Sequence, residues 1–291
     1  MSALNLIINL AVGGDFFPEG CVNSATLQKP WAYGTSSQSR SFWWGGDSEY
    51  NDRRESFDTW SDPTFQIRDL KIFDDTVEVS TTSETVTETT PETTLETTTE
   101  TTTETSTVDP NFQLIFHENF ENLSNWQHDV TFEVQNNEFQ YYRNDRKNSQ
   151  IENNILTINP SLTVEENGND AWFLFSGTLN LDESECSNGC SRTGYWDYII
   201  PPVQSAKITT RQSFSFKYGK VEFEAKLPNG DWLWPAVWMM PKNDVYGGWP
   251  RSGEIDILEA RSNAGLDCDG NEVGRKCAVS TLHYRGGLSS D

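Results

Sequence analysis

"RSGEIDILEA", residues 251–260, places Glu254, Asp256 and Glu259 within an otherwise apolar, strand-like run. Residues two apart on a β-strand share one face, so Glu254 and Asp256 point one way and the intervening isoleucines the other. Strict alternation would put Glu259 among those isoleucines, where an unpaired charge is costly. A one-residue bulge after Asp256 turns Leu258 inward and returns Glu259 to the acidic face. The spacing therefore predicts a bulged strand with three carboxylates on one face.

This acidic face has two interpretations. A solvated strand surface is the simpler one, but its like charges repel each other and no basic residue lies between Arg251 and Arg261. The alternative is a catalytic pair with a third tuning group, since glycoside hydrolysis needs one carboxylate as nucleophile or base and another as acid. Crowding raises at least one pKa, because neighbouring carboxylates resist ionising together. Hard cations prefer loop carbonyls to a flat strand, so we expect no metal and no cofactor.

The stretch GDWLWPAVWMMP, residues 230–241, precedes the acids by a few residues. Counting by two places Trp232, Trp234 and Trp238 on one strand face, with aliphatic side chains on the other. A row of this kind suits either the core of a sandwich or a platform on which sugar rings stack. His283 lies on the predicted next strand, where a lone histidine is more often a packing residue than a catalytic one.

The folded parts of the chain are predicted to be β-rich. FQIRDLKIFDD (65–75) and YGKVEFEAKLP (218–228) alternate apolar and polar residues, as half-buried strands do. Short strands separated by Gly, Asn, Asp and Pro clusters are typical of a sandwich or barrel. The apolar run SALNLIINLAVGG (2–14) lacks a basic flank and a clear cleavage site, which favours a buried strand over a signal peptide.

Composition argues against nucleic-acid binding and a membrane span, and it marks residues 76–109 as a linker. With 21 basic and 44 acidic residues, the net charge of -23 excludes nucleic acid, whose phosphates need a basic face. The chain has no apolar run of 18 residues, so we expect no membrane span. Residues 76–109 are a Thr/Glu-rich repeat with too little apolar surface to fold, which predicts a disordered linker. An O-glycosylated stalk and a plain acidic tether both fit this segment.

Five cysteines are consistent with an oxidising, secreted location. Cys186 and Cys190 lie four apart, and Cys268 and Cys277 bracket a Gly/Asn/Asp-rich loop. Because no histidine lies at ligand spacing, we predict two local disulfides rather than zinc sites. Cys21 is then left without a partner.

These motifs resemble glycoside hydrolase family 16. GEIDILEA (253–260), the Trp-rich stretch before it and STLHY (280–284) are similar to laminarinase-type β-1,3-glucanases and animal β-1,3-glucan-binding proteins. The resemblance covers residues 110–291 and implies an all-β, concanavalin-like jelly-roll sandwich with a retaining mechanism. It implies Glu254 as nucleophile, Glu259 as general acid/base and Asp256 as the group that tunes them. The cleft positions that it implies are Trp232, Trp234, Trp238 and His283.

The N-terminal residues are similar to the last strands of the same kind of module, through LNLIINLAVGGDFFPEG (4–20) and FQIRDLKIFDD (65–75). The chain is thus interpreted as a fragment of a tandem protein, with the C-terminal part of one module in 1–75, a linker in 76–109 and the N-terminal part of a second module in 110–291. We expect the two pieces to pair with each other as one incomplete sandwich.

Two functions are consistent with these observations. The first is a secreted, monomeric endo-β-1,3-glucanase, and retention of both glutamates favours it. The second is a protein that recognises β-1,3-glucan as a microbial signal without cleaving it. In both cases the expected partner is a β-1,3-glucan polysaccharide. Pure β-1,3 and mixed β-1,3/1,4 linkages stay open.

Overall fold

The structure is a computed structural model that describes residues 2–22, 29, 31, 38–44, 55–74, 112–168 and 170–285. The predicted Thr-rich linker, residues 76–109, lies outside the described residues. Strands dominate, as the alternating patterns predict. None of the helices in these ranges is long and apolar enough to cross a membrane.

The helices are α1 (Gln38–Trp44), α2 (Glu55–Asp58), α3 (Phe173–Ser176) and the 3₁₀ helix η1 (Thr163–Asn167). The strands are β1 (Leu4–Val12), β2 (Phe65–Asp74), β3 (Gln113–Glu118), β4 (Gln127–His128), β5 (Val130–Thr131), β6 (Gln140–Tyr142), β7 (Ser149–Glu152), β8 (Ile155–Ile158), β9 (Ser161–Leu162), β10 (Thr178–Asn180), β11 (Cys186–Asn188), β12 (Ser191–Thr193), β13 (Val203–Ser205), β14 (Lys207–Thr209), β15 (Lys220–Lys226), β16 (Leu233–Pro241), β17 (Glu254–Ala260), β18 (Asp267–Cys268), β19 (Asn271–Glu272) and β20 (Ala278–His283).

Strand β1 lies inside the main sheet, whose order is β20-β17-β16-β1-β14-β4. All of its residues are buried. It pairs antiparallel with β16 along its whole length, from Leu4 opposite Pro241 to Val12 opposite Leu233. Its other edge pairs with β14. Because a run this apolar must be covered on its edges and its faces, it forms an interior strand. The prediction of a buried N-terminal strand is confirmed.

Strand β2 has the same role in a second sheet, of order β15-β2-β8-β7. One of its edges pairs with β15, and the other pairs with β8 and then with β3. Both strands from before residue 75 therefore lie between strands from after residue 112. The expected pairing of the two pieces is confirmed. The division into parts of two modules, 1–75, 76–109 and 110–291, stays a prediction.

The two sheets pack face to face through one hydrophobic cluster. Leu6, Ile8 and Leu10 of β1 are fully buried, and they belong to the same cluster as Phe65 and Ile72 of β2. The apolar face of β15 packs against this cluster, while its charged residues face solvent. Side chains from two facing sheets that form one core define a β-sandwich. The predicted all-β jelly-roll class is confirmed.

A third, smaller sheet adjoins the edge of β1, where Phe139 N–H donates to the carbonyl of Val12 at 2.8 Å. Its order is β11-β5-β6-β13-β9. The Nδ2 of Asn9 in β1 donates to the hydroxyl of Tyr142 in β6 at 3.0 Å. Ser205 of β13 donates to the carbonyl of Leu10 at 2.6 Å. These bonds place β6 beside the polar face of β1, where the sheet forms one wall of a cleft.

The disulfides correct one of the sequence predictions. Cys186 and Cys190 are bonded as predicted. Cys268, however, pairs with Cys21 across 247 residues, and Cys277 is free. The local pairing of Cys268 with Cys277 was therefore wrong, as was the unpartnered Cys21. Val22 and Asp267 exchange two backbone hydrogen bonds of 2.9 Å, which bring the two cysteines together from distant parts of the sequence.

Candidate active site

The predicted bulge lies in β17. Asp256 is opposite Trp238 of β16, and Leu258 is opposite the neighbouring Val237, so Ile257 has no partner of its own. The pairing of β17 with β20 is irregular at the same place. An extra residue at this point returns the next side chain to the face that it would otherwise leave. The spacing of the acids thus corresponds to a register shift in the sheet.

All three carboxylates line one cleft on the polar face of the main sheet. The apolar residues between them, Ile255, Ile257 and Leu258, pack against the core on the opposite side. Strands β1, β14 and β16 supply the rest of the floor, and residues 129–138 and 187–188 supply the walls. The floor and wall residues include Asn9, Ala11, Lys207, Trp234, Ala236, Trp238, Asp129 and Asn188.

Burial sets the electrostatics of the acids. Asp256 is 4% exposed and Glu259 is 9% exposed. Desolvation, with the negative charge of Glu254 nearby, raises the pKa of Asp256 to about 6. The pKa of Glu259 is also raised, first by desolvation and then by the charge of Asp256. Crowding of carboxylates in a poorly solvated cleft has the effect that the sequence predicts.

Glu254 has a different set of neighbours. Desolvation raises its pKa, while His283 and the side chain of Trp249 act in the opposite direction. The Nε2 of His283 lies 3.8 Å from Glu254 Oε1 and 3.1 Å from Asp256 Oδ2. His283 therefore lies beside both acids, while its role as a cleft residue stays a prediction.

Glu259 is held by a tryptophan. The indole Nε1 of Trp234 donates to Glu259 Oε1 at 2.9 Å. The ring of Phe16, from the loop after β1, stacks on Trp234 with centroids 4.3 Å apart and planes 7° apart. The guanidinium of Arg261 lies 3.9 Å from the centroid of the Phe16 ring. The hydrogen bond from Trp234, whose ring is itself packed against Phe16, therefore holds the Glu259 carboxylate in one orientation.

The predicted tryptophan row is divided by the structure. Trp234 and Trp238 line the cleft. Trp232 precedes β16 in the left-handed region, with φ 66°, and its side chain is 2% exposed. It makes edge contacts with Phe17 and Trp31 in the aromatic part of the core. Strict alternation fails at Trp232 because the strand begins one residue later, so this side chain serves packing.

Sequence reasoning missed Asn9, which organises the middle of the cleft. Its Oδ1 accepts from Trp238 Nε1 at 2.7 Å, and its Nδ2 donates to the Tyr142 hydroxyl. Asn5 lies on the same strand face and donates to Thr209 Oγ1 at 3.0 Å. The signal was present in the sequence, because these asparagines alternate with the leucines and Ile8 of β1 at a period of two.

One group in the described ranges has the spacing of a cation site. Ligand-type atoms of Glu254, Asp256 and His283 lie within 4.8 Å of one another. The resemblance implies a catalytic role for two of these side chains, Glu254 and Asp256, and a cleft position for His283. The Nε2 of His283 lies within hydrogen-bond distance of Asp256 Oδ2, so this group already has one internal contact. The expectation that no metal binds stays a prediction.

Fold and site together define a jelly-roll sandwich with three carboxylates on a bulged strand. Residues 201–281 match the XgeA-like catalytic domain of glycoside hydrolase family 16. The matched span includes the start of β13 and part of β20, and it contains Trp232, Trp234 and Trp238 and all three carboxylates. The resemblance to family 16 that the motifs predict is confirmed.

Three relatives show which known proteins the chain is similar to. It is 45% identical to a beta-1,3-glucan-binding protein of Penaeus monodon, over 59% of this chain and 48% of that protein. It is 60% identical to a glucan endo-1,3-beta-glucosidase of Cryptopygus antarcticus, over 24% of this chain and 26% of that protein. It is 61% identical to glucan endo-1,3-beta-glucosidase A1 of Niallia circulans, over 20% of this chain and 8% of that protein. The chain thus spans about half the length of the first relative and less of the other two.

Proposed function

We propose that this protein hydrolyses internal bonds of β-1,3-glucan with retention of configuration. The observation that carries the proposal is the set of three carboxylates on a bulged strand, two of them buried, facing a cleft with two tryptophans. Retaining glycosidases need two carboxyl groups on one site, one ionised and one protonated. The names of the two glucosidases to which the chain is similar support the substrate.

The electrostatics support Glu254 as the nucleophile and Glu259 as the general acid. His283 lies beside Glu254, and its charge when protonated favours the ionised form that a nucleophile needs. Glu259 is desolvated and lies near Asp256, whose negative charge favours the protonated form that an acid needs. Desolvation raises both pKa values. The next largest effect differs, because the charge of Asp256 raises the pKa of Glu259 further, whereas His283 lowers that of Glu254.

In the first step Glu259 donates its proton to the glycosidic oxygen while Glu254 attacks the anomeric carbon. The bond to the leaving sugar breaks, and a covalent glycosyl–Glu254 ester forms. In the second step Glu259 removes a proton from water, which attacks the same carbon and releases Glu254. Two inversions leave the configuration unchanged. Asp256 keeps the pKa of Glu259 raised through both steps.

The charge of the cleft supports a neutral substrate. Acids from β17 and from the loop that carries Glu133 and Glu138 surround the cavity, and the whole chain has a net charge of -23. An anionic polysaccharide would be repelled by this field. The indole faces and amide groups of the cleft suit the hydroxyls and apolar ring faces of an uncharged glucan.

Recognition without cleavage is the second candidate. It is favoured by one observation, which is that the similarity to the Penaeus monodon glucan-binding protein extends over more of this chain than that to either glucosidase. The same cleft would then bind the polysaccharide without turnover. Two disulfides suit an extracellular protein in either case, so we propose a secreted location.

Reducing-sugar release from laminarin tests the proposal. We expect release by the unchanged protein and a loss of at least about 1,000-fold in Glu254→Gln and Glu259→Gln, because each removes a group that reacts. Glu152→Gln is the matched control, since Glu152 is an exposed glutamate on β7. Proton NMR of the first product reports the anomeric configuration.

The two candidate functions give different results. An active protein whose first product keeps the β configuration supports the hydrolase. If the unchanged protein pulls down with insoluble β-1,3-glucan but releases no sugar, and Glu254→Gln binds equally well, the recognition function is correct instead. An inverted product would contradict Glu254 as nucleophile.

A further inference from the structure

A second cavity lies beside the cleft and carries none of the three acids. It is formed where helix α1 from the N-terminal residues meets a hairpin after β12. Its lining includes Gln38, Phe132, Asn137, Arg192, Tyr198 and Pro201. The hairpin is closed by two backbone hydrogen bonds between Tyr195 and Tyr198, of 3.0 and 2.7 Å. Arg40 of α1 binds the hairpin through Asp197 at 2.9 Å.

The side chains of this cavity are those that bind uncharged sugars. Tyr198 is 51% exposed, and the guanidinium of Arg192 lies 4.0 Å from the centroid of its ring. In the described part of the chain, no carboxylate forms an ion pair with Arg192, so its N–H donors are available to a ligand. An aromatic face with fixed donors beside it suits the apolar face and the hydroxyl rim of a sugar ring.

Gln38 adds a group that needs a donor. The residue is 3% exposed, and its Oε1 accepts no hydrogen bond from any described residue. Its Nε2 lies 3.5 Å from Asp15 Oδ1. Buried polar atoms are rarely left without a partner. A hydroxyl group or a water molecule in the cavity would satisfy this oxygen after a small movement of the amide.

The two cavities are adjacent. Glu133, Val134 and Glu138 line both of them, so the loop 132–139 separates the carboxylates from Tyr198. A linear polysaccharide that occupies the cleft can extend over this loop. The two glutamates make the second cavity unfavourable for phosphate or sulfate, in spite of Arg192.

The loop 132–139 is held in place from the core side. Phe139, at its end, packs against Trp31 and Phe42. Gly13 and Gly14 lie under the loop with positive φ angles, and a Cβ on Gly13 would come within 2.2 Å of the Phe139 ring. Only glycine allows this approach. The cleft and the second cavity are therefore largely formed before a ligand binds, which suits polysaccharide recognition.

We propose that the cavity around Tyr198 and Arg192 is a distal subsite that binds sugar units of a long glucan chain held in the cleft. The inference rests on the proposed function, because it needs a glucan in the cleft. It explains why an exposed aromatic residue is stacked with an arginine in the second cavity. The protein then prefers long chains over short oligosaccharides.

Binding is measured with the Glu259→Gln variant, so that no ligand is hydrolysed. We compare laminarin with laminaritriose, and we measure Tyr198→Ala and Arg192→Ala in that background by titration calorimetry. We expect each change to raise the ratio of the laminarin Kd to the laminaritriose Kd about 3- to 10-fold, the size of one stacking contact. Tyr218→Ala is the matched control, since Tyr218 is 50% exposed with the Nζ of Lys217 5.3 Å from its ring.

Each result has one meaning. A ratio that rises for the Tyr198 and Arg192 variants, and stays constant for the Tyr218 variant, supports the subsite. An unchanged ratio in both variants overturns the subsite and leaves the proposed function standing. If the background protein binds neither laminarin nor laminaritriose, the proposed function fails and the subsite fails with it. Circular dichroism of each variant shows whether its fold is retained.

Discussion

The Nε1 of Trp234 donates a hydrogen bond of 2.9 Å to Oε1 of Glu259, and neither side chain is more than 9% exposed. The Trp234 indole is in turn covered by the Phe16 ring. The orientation of the proposed acid therefore depends on a residue of the loop after β1, more than 200 positions away in the sequence. The strand that carries the carboxylates and the residue that supports it therefore come from distant parts of the chain.

Trp234→Phe should move the alkaline limb of the kcat/KM profile to higher pH. The indole bond lowers the pKa of Glu259 against the effect of burial, so its loss lets the carboxyl stay protonated for longer. A hydrogen bond to a charged group contributes about 1.5–3 kcal/mol, and one pKa unit corresponds to about 1.4 kcal/mol. We expect a shift of about one to two pH units, measured on laminarin between pH 4 and pH 9.

Trp126→Phe is the control for this change. Trp126 Nε1 donates to the buried Glu118 Oε2 at 3.0 Å, which is the same kind of indole–glutamate pair away from the cleft. Its loss should lower the melting temperature and leave the pH profile of the remaining activity unchanged. A profile that moves equally in both variants would contradict a specific role for Trp234.

Asp256→Asn should stabilise the fold at neutral pH. In the folded protein the pKa of Asp256 is raised from 3.8 to about 6. The contribution of protonated Asp256 to the free energy of unfolding is therefore complete below pH 3.8 and is lost as the pH rises through 6. Asparagine has no charge to desolvate, so the variant should gain about 2–3 kcal/mol over the unchanged protein at pH 7 and little at pH 4. Melting temperatures across this range measure the effect.

Asp244→Asn provides the comparison, because Asp244 lies in an exposed loop. Its melting curve should follow that of the unchanged protein at each pH. The Asp256 variant should also lose activity, since the charge that raises the pKa of Glu259 is gone. A melting temperature for Asp256→Asn below that of the unchanged protein at pH 7 would show that its contact with His283 outweighs desolvation.

Asn9→Ala should weaken both the fold and glucan binding. The change leaves the indole N–H of Trp238 and the Tyr142 hydroxyl without their common partner. The Tyr142 hydroxyl is buried and the Trp238 indole is partly buried, and an unsatisfied buried group costs about 1–3 kcal/mol. We expect a loss of about 2–4 kcal/mol in urea unfolding and a higher KM for laminarin. Asn5→Ala, on the same strand face but bonded to Thr209, should affect stability without raising KM.

Loss of the long-range disulfide should destabilise the protein more than loss of the local one. In a Cys277→Ser background, which prevents thiol exchange, we compare Cys21→Ser/Cys268→Ser with Cys186→Ser/Cys190→Ser. The first pair closes a loop of 247 residues and the second a loop of four. Chain entropy predicts losses of about 5 and about 2 kcal/mol. Equal losses in guanidinium unfolding would contradict the entropic explanation.

Several features of this protein were determined by its sequence alone. The alternation in β15 and β2 was enough to place both strands, because a period of two must bury one face of a sheet. The uneven spacing of Glu254, Asp256 and Glu259 predicted a bulge, because a charge cannot be left unpaired in the core. These are local constraints, so the neighbouring residues are sufficient to reveal them.

Other features were decided only by the tertiary structure. The disulfide joins Cys21 and Cys268, which are far apart in the sequence, and Asn9 likewise contacts the distant Trp238 and Tyr142. The burial of Trp232 in the core depends on where a strand begins. Local pattern carries no information about which distant strands become neighbours. The acids were therefore visible in the sequence, while the side chains that hold them in place depended on the packing of two separate segments into one sandwich.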